Sequence, residues 1–302
     1  MDDQFRHPRG TDLLAEVRQI FEEKPIFQNT KKPVVFLCGG PLKSKKKNMR
    51  SEFLLWSNRE LPQVVTLIAE DAYRHTKLYD PPETVNLSEF EQMIGTISDC
   101  VLVFPESEGS FAELGLFSHV KDINKKILVA NAITYQSKES FINLGPIKSI
   151  DSKSYLSPTV QITKHHRQFD FEPLRERLQR LIERVQRKSF SYAAYKDLDH
   201  LGKFLITLEM INIFQFMTLD SLAESIRSAF ATASPRELKR ILSILAGAGY
   251  IRVRDQFFSL EKGKDSLLIF DDFRIEDLKA RALSYYQKYR PEVYRRFQRS
   301  LK

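Results

Sequence analysis

Short apolar runs alternate with amphipathic stretches along the first half of the chain, and this alternation limits the possible folds more than any other feature. The apolar runs are strand-like and lie at 33–38, 64–70, 101–104 and 126–130. Helical patterns separate them at about 50–61, 87–98 and 110–121. Strands in alternation with helices predict an α/β fold, an open, Rossmann-like parallel sheet covered by helices.

Ligands of open parallel sheets bind at the carboxyl ends of the strands. Three segments are expected to leave strands at that edge: Gly39-Gly40, Glu70-Asp71 and the loop 105–113. We therefore expect these segments to converge on one pocket.

The pattern changes after Pro158. A charged amphipathic helix over 171–188 is expected to connect two units, and no strand-rich run is expected again before Tyr250. Helical patterns at 201–214, 220–230 and 235–247 then precede a hairpin at 250–260, which is the order of a winged helix. The predicted division is 1–160 for the α/β domain, 161–195 for the connecting helix and 196–302 for a mostly helical winged-helix domain that ends in a basic helix.

Composition limits the cellular setting. No apolar run approaches the roughly 20 residues of a membrane-spanning helix, and the first ten residues lack the apolar core of a signal peptide. Cys38 and Cys100 match neither a disulfide framework nor a metal site, and His165-His166 has no ligand partner at metal-binding spacing. We expect a cytoplasmic protein without a membrane anchor or a metal.

The formal charge of +8 favours acidic partners such as nucleic acid.

The stretch VLVFPESEGSFAELGLFSHV, residues 101–120, places Glu113 after a strand and in the expected first turn of a helix. Backbone N–H groups at Gly109-Ser110 would suit phosphate or ribose oxygens. An acid in a first turn also gains about 0.3–1 kcal/mol from the helix dipole. From the residues alone, Glu113 is either such a helix-start acid or a functional carboxylate.

Four sequence features follow one another in the chain: FLCGG, Arg50, PESEGSFAELGLFS and SFINLGP. In this order they resemble the effector proteins of Ec86-type and St85-type retrons, whose first domain is like a nucleoside deoxyribosyltransferase. The resemblance implies an N-glycosidase in which Glu113, four residues after Gly109, stabilises or traps an oxocarbenium ion. The ordinary transferases carry an aspartate two residues before that glycine. Here Ser107 stands there, with Glu106 and Glu108 as the nearest acids.

The resemblance extends the expected site. Arg50 would meet a phosphate or cap a surface helix, Glu91 would face the pocket or solvent, and Asn143 would complete the pocket of a neighbouring subunit or form a turn. The helix N-terminus is expected to keep Glu113 ionised. NAD is expected as substrate, with no cofactor, because its cationic nicotinamide leaves without a base-binding aspartate. The predicted substrate-binding residues are Gly39, Gly40, Arg50, Glu91, Glu106, Ser107, Gly109, Ser110 and Asn143.

Basic residues of the predicted winged helix are expected to meet phosphates, or else to form a solvated face of a protein-docking module. They are Arg236, Lys239, Arg240, Arg252 and Arg254. By resemblance, the partners are the retron reverse transcriptase and its multicopy single-stranded DNA (msDNA) with its RNA. They would control an anti-phage toxin-effector that forms a homo-oligomer or a multi-copy assembly.

Two other functions stay open at this point. One is a nucleotide sensor that uses the same pocket without cleavage and is coupled to a DNA-binding winged helix. The other is a phosphoribohydrolase of the cytokinin-activating type, which carries a PGGxGTxxE phrase. Glu106 and Ser107 replace its paired glycines, and the added acids would repel a monophosphate, so this function is the least favoured.

Overall fold

The computed structural model describes residues 4–5, 7–29, 32–43, 47–76, 85–132, 139–156, 159–165, 168–183, 188–271 and 273–300. Residues 44–46 and His166 are among the residues that lie outside these ranges. The helices are α1 Pro8–Glu23, α2 Met49–Glu60, α3 Ala69–Thr76, α4 Leu87–Ile97, α5 Glu108–Phe117, α6 Lys148–Asp151, α7 Glu172–Glu183, α8 His200–Phe214, α9 Leu219–Phe230, α10 Pro235–Gly247, α11 Arg274–Tyr289 and α12 Pro291–Ser300. Single helical turns lie at Asn124–Lys126, Asn143–Ile147 and Tyr195–Asp197. The strands are β1 Ile26–Gln28, β2 Val34–Cys38, β3 Val65–Leu67, β4 Cys100–Val103, β5 Ile127–Ala132, β6 Thr159–Ile162, β7 Lys164–His165, β8 Gln168–Phe169, β9 Ser189–Phe190, β10 Phe216–Met217, β11 Ile251–Arg254, β12 Phe257–Leu260 and β13 Leu268–Phe270.

The chain divides into two compact units. The α/β unit comprises Thr30–Asp71 and Glu83–Val185, and the second unit comprises Met1–Asn29, Ala72–Pro82 and Gln186–Lys302. The amino-terminal residues group with the carboxyl-terminal half because α1 packs on α9 and α11, and β1 pairs with β9 and β13. This grouping differs from the division expected from the sequence, whose ranges stay predictions as functional domains.

The α/β unit is built on a five-stranded parallel sheet in the order β3-β2-β4-β5-β6. Every residue of β2 and β4 is buried, as expected for central strands that are covered on both faces. One core cluster includes Val35 and Leu37 of β2, Leu102 of β4 and Phe53 of α2. The sheet confirms the predicted Rossmann-like fold class.

The second unit contains the predicted winged-helix order. After α8, the short strand β10 precedes α9 and α10, and the hairpin β11–β12 follows. The strands form an antiparallel sheet in the order β10-β12-β11, so the first strand pairs with the last, as in a winged helix. Helix α8 is buried continuously from Gly202 to Phe214, which accounts for its nearly unbroken apolar sequence.

Several local expectations were wrong. The run 64–70 forms a strand only over Val65–Leu67, and helix α3 begins at Ala69. Strands do occur between Pro158 and Tyr250, namely β6, β7, β8, β9 and β10. The predicted connecting segment 161–195 contains, besides helix α7, the end of β6 and all of β7, β8 and β9. Within the part of the chain that the structure describes, none of the helices is both long and apolar enough to cross a lipid bilayer.

Candidate functional site

Three segments of the chain meet at the carboxyl edge of the parallel sheet. The backbone N–H of Gly40, just after β2, donates to Oε1 of Glu106 at 3.1 Å. The hydroxyl of Ser107 donates to the carbonyl oxygen of Gly39 at 3.4 Å. Arg50 joins this group to Glu70, which follows β3. The predicted convergence of these segments is therefore confirmed for Gly39-Gly40, Glu70 and the loop 105–113.

Two serines fix where helix α5 begins. Ser107 is the N-cap residue, and its hydroxyl accepts from the N–H of Ser110 at 3.3 Å. The hydroxyl of Ser110, which is fully buried, accepts from the N–H groups of Glu106 and Ser107 at 3.0 and 2.9 Å. These reciprocal bonds satisfy backbone donors at the helix start. The structure thus gives Ser107 and Ser110 a capping role, and direct substrate contact by them stays a prediction.

Glu106 binds backbone N–H groups at the start of helix α2. Its Oε2 accepts from Met49 at 2.7 Å and its Oε1 from Arg50 at 3.0 Å, in addition to Gly40. A carboxylate at a helix N-terminus is stabilised by the unpaired N–H groups and by the dipole. Both oxygens of Glu106 are thus engaged within the protein. This favours a role in shaping the loop, and substrate binding by Glu106 stays a prediction.

Glu113 lies deeper in its helix than the sequence suggested. Helix α5 begins at Glu108, so Glu108 is the acid of the first turn and Glu113 lies in the second turn. The helix-start explanation for Glu113 therefore does not hold. Its Oε2 is buried and has no hydrogen-bond partner among the described residues. Burial, and then the charge of Glu113, raise the pKa of the Cys38 thiol, at the end of β2, well above its ordinary value.

Burial and neighbouring acids change the ionisation of this site. Burial, and then the charge of Glu91, raise the pKa of Glu113 to about 8, although Arg50 opposes the shift. Burial and the charge of Glu70 raise the pKa of Glu91 to about 7. The expectation that the helix N-terminus keeps Glu113 ionised was wrong, because desolvation outweighs a dipole whose influence falls off after the first turn. At neutral pH, Glu113 is mostly protonated in the protein alone.

Arg50 is the buried cation of the site. Its two terminal nitrogens each donate to one oxygen of Glu70 at 2.7 Å, and Nη1 also donates to the carbonyl of Gly40 at 3.3 Å. Its side chain is 4% exposed and that of Glu70 is 46% exposed. Gly39 is required beside it, because a Cβ there would lie 2.8 Å from the Cβ of Arg50. Phosphate binding by Arg50 stays a prediction, since its guanidinium group already donates hydrogen bonds to the carboxylate of Glu70.

Asn143 and Gly109, which were also predicted site residues, make fewer contacts with the rest of the site. Oδ1 of Asn143 accepts from Asn131 of the same chain at 3.5 Å, in the helical turn after the exposed Phe141. Gly109 is exposed, with open space around its Cα. Glu70 and Cys38 were not among the predicted site residues. The position of Glu70 after β3 was a signal for it, whereas a cysteine at a strand end gives none.

The basic residues of the winged helix differ in accessibility. Arg236, near the start of α10, and Arg254, at the end of β11, are exposed, whereas Lys239 and Arg240 are half-buried. Arg252 forms an ion pair with Glu261, with Nε and Oε2 3.2 Å apart. The pKa of Glu261 is lowered by this contact. Among the described residues, no group of three or more His, Cys, Asp or Glu side chains could hold a metal ion.

Comparison with known proteins gives a family. Two proteins of Escherichia coli are similar to this chain, and both carry names that assign them provisionally as ribosyltransferase/DNA-binding proteins. The protein of retron Ec73 is 32% identical over 127 residues, 42% of this chain and 40% of the relative. The protein of retron Ec86 is 32% identical over 130 residues, 41% of this chain and 40% of the relative. The similarity thus spans about two fifths of each relative.

The family match is longer than either pairwise similarity. The model of the STM3845 retron effector protein family matches residues 43–253, more than half of the chain. This range contains Arg50, Glu91 and Glu113 as well as helices α8, α9 and α10 of the winged helix, and it ends within strand β11. It confirms the resemblance seen in the sequence. The protein belongs to the STM3845 retron effector family.

Proposed function

We propose that the α/β unit is an N-glycosidase that hydrolyses NAD, with Glu113 as the carboxylate that meets C1′ of the nicotinamide ribose. One observation carries the proposal: a buried carboxyl oxygen of Glu113 has no hydrogen-bond partner among the described residues, and it lies at the carboxyl edge of a parallel sheet, where such folds bind ligands. The ribosyltransferase assignment in the names of the two relatives supports glycosyl-transfer chemistry.

The reaction needs few groups. When the bond from C1′ to the nicotinamide nitrogen breaks, its electron pair neutralises the pyridinium and leaves positive charge on the ribose. A carboxylate beneath C1′ stabilises this oxocarbenium ion or traps it as a glycosyl ester. Water then adds to C1′ and loses a proton, so the products are ADP-ribose, nicotinamide and one proton. In this scheme Glu113 must be ionised.

The raised pKa of Glu113 favours a cationic substrate. Removing its proton leaves negative charge among Glu91 and Glu70, with Arg50 as the buried counter-charge. A pyridinium cation beside Glu113 would add a second positive charge and lower that pKa. A neutral nucleoside would give no such help. The ionisation of the site therefore supports NAD over an uncharged nucleoside.

Incubation of the purified chain with NAD tests the substrate class directly. We expect release of nicotinamide and ADP-ribose, quantified by chromatography, with adenosine and thymidine as matched neutral substrates that are left intact. The retron partners or an activator are added if the isolated chain is inactive. Release of a free base from the nucleosides with NAD intact would refute the NAD proposal but keep the glycosidase. Binding of NAD without turnover in every condition would favour the sensor function.

The pH profile of NAD hydrolysis should show a single ascending limb. Because Glu113 acts ionised and its pKa is about 8, log(kcat/KM) is expected to rise with a slope near +1 below about pH 8 and then level off. A descending limb near pH 7 would mean that protonated Glu91 is needed as an acid, as a neutral leaving base would require. Kinetics from pH 5.5 to 9.5 separate the two cases.

We further propose that the winged-helix unit docks the effector on the retron reverse transcriptase with its msDNA and RNA, and that this complex controls an anti-phage toxic activity. Two observations support this: the chain belongs to a retron effector family, and exposed cations lie on α10 and β11. The name of each relative also includes DNA binding.

Replacing Arg236, Lys239, Arg240, Arg252 and Arg254 together with glutamine should weaken co-purification with the retron nucleoprotein. Each lost phosphate contact should flatten the log–log salt dependence by about 0.7–0.9. Among single variants, Arg236→Gln and Arg254→Gln should have the larger effects, and Arg252→Gln should act as a near-neutral control because Glu261 already neutralises Arg252. An unchanged slope in the fivefold variant would argue for docking on protein or for a solvated face.

A further inference from the structure

A cleft of about 310 Å³ lies within the second unit, behind the wing of the winged helix. Its volume is at the lower end of the range for small-molecule sites. Strands β10, β11 and β12 supply one side, and α8, α11 and α12 supply the other. The lining residues are Asn212, Gln215, Phe216, Arg252, Ser259, Leu260, Lys262, Leu283, Tyr294, Phe297 and Gln298.

Aromatic rings form one wall of this cleft. Phe216 is fully buried, and the ring of Phe297 stacks on it with centroids 4.1 Å apart and planes at 9°. Tyr294, one turn earlier on α12, has its ring centroid 6.2 Å from that of Phe216. Phe297 and Tyr294 are only half-buried, so part of each ring remains accessible. Such a wall suits the flat face of a nucleobase.

Polar groups complete the lining. Asn212, which is 5% exposed, is oriented by donating from Nδ2 to buried Glu209 at 2.9 Å, and Gln215 and Gln298 add exposed amides. Amides both donate and accept hydrogen bonds, as the edge of a base requires. Lys262 brings positive charge, Arg252 is paired with Glu261, and none of the lining residues is an acid. The combination selects a planar, polar and anionic ligand.

We propose that this cleft binds a nucleoside phosphate, with its base against Tyr294 and Phe297 and its phosphate at Lys262. The cleft shares no residue with the site of Glu113 or with the basic residues of α10. Arg295 and Arg299 are exposed one turn apart on the same helix as the aromatic wall. They would meet neighbouring phosphates, so an unpaired nucleotide within a strand fits better than a free nucleotide. The cleft would add recognition of single-stranded nucleic acid to the winged helix.

The test uses the full chain with a nine-nucleotide oligothymidylate that carries one central 4-thiothymidine. Ultraviolet crosslinking followed by peptide mass spectrometry should locate the adduct at one of the lining residues of α12, which are Tyr294, Phe297 and Gln298. Fluorescence anisotropy should show at least tenfold weaker binding for Lys262→Glu and for Tyr294→Leu, which keeps an apolar side chain but removes the ring. Lys196→Glu, the same charge reversal at an exposed residue outside the cleft, should change the affinity by less than about twofold.

Thymidine monophosphate serves as a competitor that distinguishes a nucleotide within a strand from a free nucleotide as the ligand of the cleft. Competition only at large excess assigns the cleft to a strand, whereas equal affinity assigns it to a free nucleotide. The proposal is refuted if the adduct maps outside the lining residues, or if Lys262→Glu and Lys196→Glu weaken binding equally. It is also refuted if folded Tyr294→Leu, checked by its thermal transition, binds as the unaltered chain does.

Discussion

Replacing Glu113 with glutamine is expected to lower nicotinamide release from NAD by about 10³-fold or more while the protein stays folded. The amide keeps the shape of the side chain, but it can neither trap nor balance an oxocarbenium ion. The same change should abolish toxicity in cells. Single-turnover assays with purified protein measure the chemical step directly. Glu108→Gln is the matched control, because Glu108 is the exposed first-turn acid of the same helix.

Thermal stability gives an independent measure of the same residue. The pKa of Glu113 is about 8 in the folded protein, against 4.5 as the reference value. The folded state therefore holds a proton that the unfolded state loses between these values, and stability decreases as the pH rises through this window. Glutamine does not titrate. The transition temperature of Glu113→Gln should thus rise relative to the unaltered protein from pH 4.5 to pH 8, and its free energy of unfolding should gain on the order of a few kcal/mol relative to the unaltered protein over this range.

These two measurements separate a catalytic carboxylate from a structural one. A catalytic Glu113 gives a variant that is inactive and, at pH 8, more stable. A variant that is inactive and less stable at every pH would instead indicate that Glu113 holds the fold together. Near-normal turnover by folded Glu113→Gln would refute its assignment to the reaction.

The central strands of the sheet could be predicted because burial on both faces leaves a pattern that is visible in the sequence. Strands β2, β4 and β5 are covered on both faces, so they read as continuous apolar runs. Strand β6 contains Thr159 and Gln161 and pairs with only one neighbour, so its sequence lacks that signal. The pairing of β1 with β13 joins residues 26–28 to 268–270, and local patterns carry no information about such a distant partner.

The site was predicted in its position more than in its chemistry. The phrase around Glu113 located the carboxylate, but its protonation depends on Glu91, Glu70 and Arg50, which only the fold brings together. The start of helix α5 was placed two residues too late because the capping pair is two serines, Ser107 and Ser110, rather than the more familiar serine with glutamate. That error made Glu113 look like a first-turn acid.

Breaking the pair between Arg50 and Glu70 from either side should move the pH dependence of the reaction in opposite directions. Glu70→Gln removes a negative charge that raises the pKa of both Glu91 and Glu113, and frees Arg50 to stabilise their ionised forms. The ascending limb of the profile should then shift to lower pH. Arg50→Met removes the positive charge that lowers the pKa of Glu91 and of Glu113, and the limb should shift to higher pH.

The stability effects of these two variants should also differ. Glu70→Gln leaves the buried guanidinium of Arg50 without its carboxylate and should cost about 3 kcal/mol, at the low end for a broken buried pair, because the amide still accepts a hydrogen bond and Glu70 is 46% exposed. Arg50→Met leaves only a half-exposed carboxylate and should cost less. Denaturant unfolding measures both, and Glu108→Gln again serves as the control. A general loss of structure at the site would lower activity at all pH values without moving the ascending limb of the pH profile. If the limb shifts in the same direction in both variants, or in neither, Arg50 is not the counter-charge of Glu113.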